Sequence, residues 1–335
     1  MYDIPYVAII IPCFNEVHNI SRCLDSLLRN DYDKEHLEIV LIDGMSTDGT
    51  RDIIRRYCLK HKYIRMIDNP QVLKPIALNI GIIQTKSDIV MRIDAHAVYA
   101  NNYISKCVEG IYKYKADNIG GIRETDRGQN IWEKAVGIVI SHPFAAGDAY
   151  YRTGSTDVKE VDTVFCGCYR RAVFNKIGVF NEKLIRTQDR EFNARLVESD
   201  GKIVLDPSIR CTYFPRTKIR DYWKWNFEGA YWVFYAKRFT NVNMLSIRNF
   251  VPLLFVSWHI ITLLFFLLNP MYGLIALLPI ILYWIIATGV SIKSGIKNKD
   301  IYLMFPMIIL FALTHYGYGI ASIKGIFSVI LKMRG

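Results

Sequence analysis

The chain has 335 residues, of which 51% are hydrophobic and 22% charged, with a formal net charge of +11 at pH 7. The apolar excess is high for a soluble enzyme and is concentrated in residues 250–331, whereas residues 1–240 carry ordinary charge. The basic balance comes without a nucleic-acid-binding motif, and several basic residues stand just before the apolar stretch, so no nucleic acid is expected and an anionic membrane surface or a phosphorylated substrate is the implied partner class.

In chain order, "YVAIIIPCF" (6–14) is a continuous apolar run, the pattern of a central strand buried on both faces. Residues 15–30 place Ile20, Leu24, Leu27 and Leu28 at helical spacing. A second buried strand is predicted over 37–43, then a polar turn with Ser46 or Thr47 as N-cap and a helix to about 61. Strand 64–69, helix 74–85 and strand 88–94 follow. Strand and helix alternate with short connections, which predicts an α/β domain with a mostly parallel central sheet. In such sheets ligands bind beyond the carboxyl ends of the strands. Three strands end in polar groups there: Asn15 and Glu16, then Asp43, then Asp94 and His96.

Helices are predicted at 101–114 and 131–147, a polar mobile loop at 150–160, and a strand, turn and short helix over 161–182. Asp189 opens a further helix that stops at Gly201, and by itself it reads as an N-terminal helix carboxylate. The seven cysteines are odd in number and scattered, which suits reduced thiols in a cytosolic compartment and no zinc site. No signal-peptide pattern opens the chain.

Together these blocks resemble the family 2 glycosyltransferases, inverting enzymes with the GT-A nucleotide-sugar-binding fold. The blocks are "VAIIIPCFNE", "EIVLIDGMSTDGT", "KPIALNIGI", "MRIDAHA", "FCGCYRRAVFNKIGVFNE" and "TQDREFNAR". They stand in order over about 1–215, and a similar membrane tail follows. The resemblance is greatest to the membrane-anchored enzymes of bacterial exopolysaccharide assembly, the succinoglycan type. It implies a catalytic domain over 1–215, an amphipathic interfacial segment over 216–248 and a transmembrane region over 249–335.

The resemblance also implies roles. Asp189 matches the general base that takes the acceptor proton. Glu16 and Asp43 match positions that contact uracil and ribose, Pro12 shapes the strand end, and Lys74 matches a contact to base or phosphates. Tyr169, Arg170 and Arg171 fall near sugar and acceptor, although both arginines read equally as surface charges. Asp94 and His96 replace the family's DxD, which holds a divalent cation against the nucleotide diphosphate. Magnesium favours oxygen ligands, and manganese accepts imidazole more readily. Two readings of His96 stay open: a direct metal ligand, or a hydrogen-bonding neighbour of phosphate or backbone.

Residues 251–268, 271–290 and 301–323 contain no Asp, Glu, Lys or Arg, and each approaches the roughly 20 residues that cross a bilayer. Lys293, Lys297 and Lys299 place the second link in the cytosol. The expectation is therefore a multi-pass protein of the inner (plasma) membrane with a cytoplasmic catalytic domain. Lys324, Lys332 and Arg334 oppose an external C-terminus, which suggests a tilted or re-entrant third span. The stretch 219–239, rich in Trp, Tyr and basic residues, suits an interfacial helix or one packed on the catalytic domain.

The resemblance thus implies a metal-dependent (Mn2+ or Mg2+) inverting hexosyltransferase. It moves a sugar from a UDP-linked donor to a polyprenyl-diphosphate-linked saccharide in surface or exopolysaccharide biosynthesis. Transfer to polyprenyl phosphate is the nearest alternative. A nucleotide-binding membrane transport or scaffold protein is the competitor from another class, and such a binder needs no base at Asp189.

Overall fold

The computed structural model describes residues 4–332; the opening residues and Arg334, both used above, lie outside them. The chain divides into two compact units, one comprising residues up to Glu124 together with Gly154–Phe214, the other Thr125–Thr153 together with everything from Pro215 on. Residues 125–153 therefore group with the C-terminal helices, although they fall inside the range 1–215 expected for the catalytic domain.

The first unit runs β1 (Val7–Cys13), α1 (Ile20–Leu28), β2 (Leu37–Asp43), α2 (Thr50–Lys60), β3 (Ile64–Asp68), α3 (Lys74–Ile83), β4 (Ile89–Arg92), β5 (Ala97–Tyr99), α4 (Tyr103–Lys113) and β6 (Asn118–Thr125). Three short helices, α5 (Ile131–Val139), α6 (Pro143–Ala146) and α7 (Tyr150–Thr153), interrupt it, and β7 (Lys159–Glu160), β8 (Phe165–Arg170), α8 (Arg171–Ile177), α9 (Gln188–Glu198) and β9 (Ile203–Tyr213) complete it.

β1 is the axis of the sheet, paired in parallel with β2 on one side and β4 on the other, and β2 pairs in parallel with β3. Its residues Val7 to Ile11 are at most 1% exposed because both faces are covered. Val7, Ile9 and Ile11 belong to the core that also holds Ile20, Leu24 and Leu27 of α1. Ile10 points the other way, toward α3, as the two-residue strand period requires. A Cβ on Gly81 of α3 would lie 2.5 Å from Ile10 Cγ2, so this glycine lets helix and strand approach. Pro12 falls beyond the last β1–β4 pair, Ile10 with Arg92, where a missing N–H is least costly.

The parallel part ends at β4. β8 runs antiparallel to β4, β6 antiparallel to β8, and β5 and β7 antiparallel to β9. The sheet is mixed, in the strand order β3-β2-β1-β4-β8-β6-β9-β5.

The second unit continues with α10 (Ile219–Tyr235), α11 (Ile247–Leu268), α12 (Pro270–Ala276), α13 (Leu278–Lys297) and α14 (Met304–Lys332). Three helical stretches are long and apolar enough to cross a membrane: Ile247–Leu268, Pro270–Lys297 and Ile301–Leu331. α14 is one uninterrupted helix of 29 residues, roughly 43 Å at 1.5 Å per residue. α10 packs along α14, where a Cβ on Gly317 would lie 2.9 Å from Trp223 Cζ3. The expected helix over 131–147 is broken at Pro143 into α5 and α6, both of which pack on α14. Several buried or half-buried polar groups in this unit pair with one another: Tyr222 with Thr314 at 2.5 Å, His259 with Tyr316 at 2.9 Å, and His315 with Tyr283 and the Phe144 carbonyl, each at 2.9 Å.

Candidate active site

The carboxyl ends of β1, β2 and β3 finish level, with Cys13 opposite Asp43 and Asp43 opposite Asp68. The two loops that leave β1 and β2 are stitched together. Asn15 takes a left-handed backbone (φ 53°), its N–H donates to Ser46 Oγ at 2.9 Å, and its Oδ1 accepts the Thr47 N–H at 3.0 Å. The Glu16 N–H donates to Thr50 Oγ1 at 2.8 Å and the Val17 N–H to Asp48 Oδ2 at 3.0 Å. Asp43 is fully buried and accepts from the Ser46 hydroxyl and N–H and from Arg51, which also reaches Asp68 at 2.8 Å. Its carboxylate thus builds this ledge from below.

Beyond β4 the chain turns sharply. The Tyr99 phenol accepts the Asp94 N–H and donates to the Asp94 carbonyl, both at 3.0 Å, and so fixes the turn that presents Asp94 and His96. Lys74, the first residue of α3, places Nζ 2.6 Å from Asp94 Oδ1, and Arg92 places Nη2 3.0 Å from the same oxygen. Burial alone would push the Asp94 carboxyl up, but Arg92 foremost, then Lys74 and His96, hold it well below the usual carboxylate range. His96 Nδ1 lies 3.2 Å from Glu16 Oε1, and the other Glu16 oxygen accepts from Asn19 at 2.8 Å. Burial raises the Glu16 carboxyl, yet the hydrogen bond and charge of His96 and the Asn19 hydrogen bond outweigh it, leaving the group below its ordinary value.

Asp189 comes from the first turn of α9, which follows Thr187 in a left-handed conformation (φ 64°). One turn further along, buried Asn193 locks the helix in place. Its Oδ1 accepts from Asn118 Nδ2 at 3.0 Å and from the Tyr169 hydroxyl at 3.1 Å, and its Nδ2 donates to Thr163 at 2.9 Å. Asp189 Oδ2 then stands 4.0 Å from Arg92 Nη1, with the carboxylate partly open.

Glu16, Lys74, Asp94, His96 and Asp189 are thereby linked through direct contacts with one another or with Arg92. Pro12 and Asp43 are outside this set of contacts: Pro12 pairs in register with Ile42 of β2, and Asp43 binds Ser46 and Arg51. Tyr169, Arg170 and Arg171 serve the scaffold: Arg170 binds the carbonyls of Ala116 and Ile111, and Arg171 those of Ser87 and Ile82. Asn79, inside "KPIALNIGI", fastens α3 to the 180–182 segment through the Phe180 N–H and carbonyl and Glu182. Sequence reasoning missed Arg92, Tyr99 and Asn193. The first was detectable, because a residue two before Asp94 shares its side of the strand.

Among the described residues no hydrogen bond to Asp94 Oδ2 or His96 Nε2 is present, so this corner offers two open ligand atoms. Among the described residues no group of three or more His, Cys, Asp or Glu side chains is arranged to hold a metal alone. Two protein ligands fit a divalent cation that takes its remaining ligands from a diphosphate and water.

The model of the family described as Glycosyl transferase family 2 matches residues 8–178, which span β1 to the end of α8. The chain belongs to this family. Among family relatives, the Dolichyl N-acetyl-alpha-D-glucosaminyl phosphate 3-beta-D-2,3-diacetamido-2,3-dideoxy-beta-D-glucuronosyltransferase of Methanococcus voltae is 26% identical over 333 residues, covering 96% of this chain and 98% of its own. Succinoglycan biosynthesis protein ExoA of Rhizobium meliloti is 28% identical over 248 residues, 73% of this chain and 74% of its own. Among solved structures, the mannosyltransferase PcManGT of Pyrobaculum calidifontis, in complex with GDP-Man and Mn2+, superposes with a TM-score of 0.60 at 16% identity over 93% of this chain and 87% of its own. The architecture is thus the GT-A fold of a family 2 glycosyltransferase, followed by apolar helices that could span a membrane.

Proposed function

We propose that this glycosyltransferase moves a sugar from a nucleotide-diphosphate donor to a polyprenyl-diphosphate-linked saccharide, with inversion at the anomeric carbon. The observation that carries the reading is the pairing of two carboxylates in different states. Asp94 is pinned by two cations, whereas Asp189 is partly open, with one oxygen accepting the Arg190 N–H at 3.0 Å and the other 4.0 Å from the far arm of Arg92. The first suits a fixed anionic ligand and the second a proton acceptor.

Asp94 and His96 would hold a divalent cation, which supplies positive charge to the leaving diphosphate. The Glu16 carboxylate on Nδ1 supports this use of His96, because metal-binding imidazoles commonly give their other ring N–H to a carboxylate. Lys74 adds a second positive charge on the donor side. Glu16 and the ledge organised by Asp43 lie on the nucleotide side, where the family resemblance points to a uridine nucleotide. Asp189 accepts the proton of the acceptor hydroxyl. With one base and no covalent sugar–enzyme bond, a single displacement inverts the anomeric centre, as in inverting hydrolysis.

Lys293 and Lys297 at the end of the second apolar stretch and Lys299 just after it support a reading in which the catalytic unit lies on the cytoplasmic side of the inner membrane. A lipid-linked saccharide as acceptor is supported by a relative named for a dolichyl N-acetylglucosaminyl phosphate, and the diphosphate link is the reading drawn from the sequence. Membranes containing the full chain, incubated with labelled UDP- and GDP-sugars and lipid extract, test the proposal. Label transferred to diphosphate-linked lipid supports it; label on lipid monophosphate favours transfer to polyprenyl phosphate, and nucleotide binding without any transfer overturns it.

A further inference from the structure

Arg92 has no role in the reaction as set out above, yet it stands between the two carboxylates that reaction uses. Its side chain is 6% exposed. Nη2 lies 3.0 Å from Asp94 Oδ1 and Nη1 lies 4.0 Å from Asp189 Oδ2, while buried Nε has no hydrogen-bond partner. A guanidinium stays protonated at any working pH, and burying it is unfavourable unless carboxylates surround it. Asp94 and Asp189 are its carboxylate contacts among the described residues. They arrive from distant parts of the chain, one on the turn after β4 and the other on the first turn of α9.

We propose that Arg92 is the positioning residue of this site, a buried fork that holds the donor-side carboxylate Asp94 and the base Asp189 at a fixed separation. The inference rests on the roles assigned to those two residues. The inequality of the two contacts directs the proton. Asp94 touches two cations directly, and Asp189 faces one at the longer distance. As the acceptor oxygen bonds to the anomeric carbon, its proton passes to the Asp189 carboxylate. The electron pair of the sugar–diphosphate bond leaves with the diphosphate. Asp189 becomes neutral, and Arg92 retains its contact with Asp94, so no buried charge is left alone during the step. A lysine at this place has one ammonium and reaches one carboxylate at a time.

A stability cycle on the full chain in detergent tests the bridge without any sugar. In the wild-type background Asp189→Asn removes one of two counter-charges from a buried guanidinium, and the thermal midpoint should fall by about 2 °C or more. In the Arg92→Met background the same change removes a carboxylate that has lost its cation, and the midpoint should hold or rise. Equal shifts in the two backgrounds would overturn the bridge. If Arg92→Met does not fold, Arg92→Lys takes its place in the cycle with the same expected reversal, weakened. Turnover supplies the second readout: Arg92→Met should lower kcat about 100-fold while UDP affinity in the presence of Mn2+ stays within about fivefold, and Arg92→Lys should recover part of kcat. Unchanged kcat would show that the bridge does not position the base. Absence of transfer by the wild type would defeat the proposed function instead, and the thermal cycle would still judge the bridge.

Discussion

Glu16 and His96 are 80 residues apart in the chain, and in the fold the imidazole Nδ1 faces the carboxylate at 3.2 Å. This contact joins the loop after β1 to the turn after β4, and it leaves Nε2 as the free face of the ring. The pair accounts for a histidine at the place where the family's DxD carries its second aspartate: the ring is oriented from behind by Glu16.

The Glu16 carboxyl lies below its ordinary value in the folded chain, so its stabilising contribution is complete above the unfolded value of about 4.3 and is lost as the pH falls through the folded value. Glu16→Gln should therefore lower the thermal midpoint at pH 7, and the difference from wild type should shrink as the pH approaches 3. Melting curves at both pH values check this; a deficit that is equal at the two would detach Glu16 from this ionic contact.

His96→Ala should weaken Mn2+-dependent nucleotide binding, and His96→Asp should restore it with a shift of preference toward Mg2+, because hard oxygen replaces imidazole. Calorimetric titration of UDP with each cation is the measurement. Identical cation titrations for His96→Ala and wild type would leave the ring as a neighbour of phosphate or backbone only.

Asp94→Ala removes the carboxylate that Lys74 contacts and leaves Arg92 with Asp189 alone, at 4.0 Å. Removing one partner of a buried ion pair costs about 3–5 kcal/mol, so this variant should lose stability as well as nucleotide binding. Adding Lys74→Met should restore part of the stability and none of the binding. Denaturant unfolding of the single and double variants separates the two effects.

Asn79→Ala should cost about 1–3 kcal/mol, since it leaves the Phe180 N–H and carbonyl without their buried partner. Nucleotide affinity should stay near wild type, because Asn79 touches none of the charged site residues. A large loss of UDP affinity in protein that melts normally would give this asparagine a direct role.

The parallel half of the sheet was legible because β1, β2 and β4 are buried on both faces and read as unbroken apolar runs. Of the antiparallel half, β8 fell within the strand expected over 161–182, and β6, β9 and β5 were not legible. β6 contains the Gly120–Gly121 pair, and Gly121 packs against the Ile209 backbone of β9, so its sequence looks like a turn. β9 carries Asp206 and Pro207 in mid-strand, which ordinarily argue against a central strand. β5 has only three residues, too few for a period. In the site, the acidic residues that follow strands were visible as strand-end signals. Tyr99 and Asn193 were not, because each acts through contacts to residues distant in the chain or to backbone atoms. The grouping of 125–153 with the C-terminal helices was also hidden, since only the contacts of α5 and α6 with α14 reveal it.

Asp189 carries the central claim. The direct measurement is single-turnover sugar transfer by Asp189→Asn in membranes, with UDP affinity measured on the same preparation. Loss of the base should cut the transfer rate by about 100- to 10,000-fold while nucleotide affinity stays within a few fold. Transfer at close to the wild-type rate would contradict the account, and the proton would have to leave the acceptor by another group.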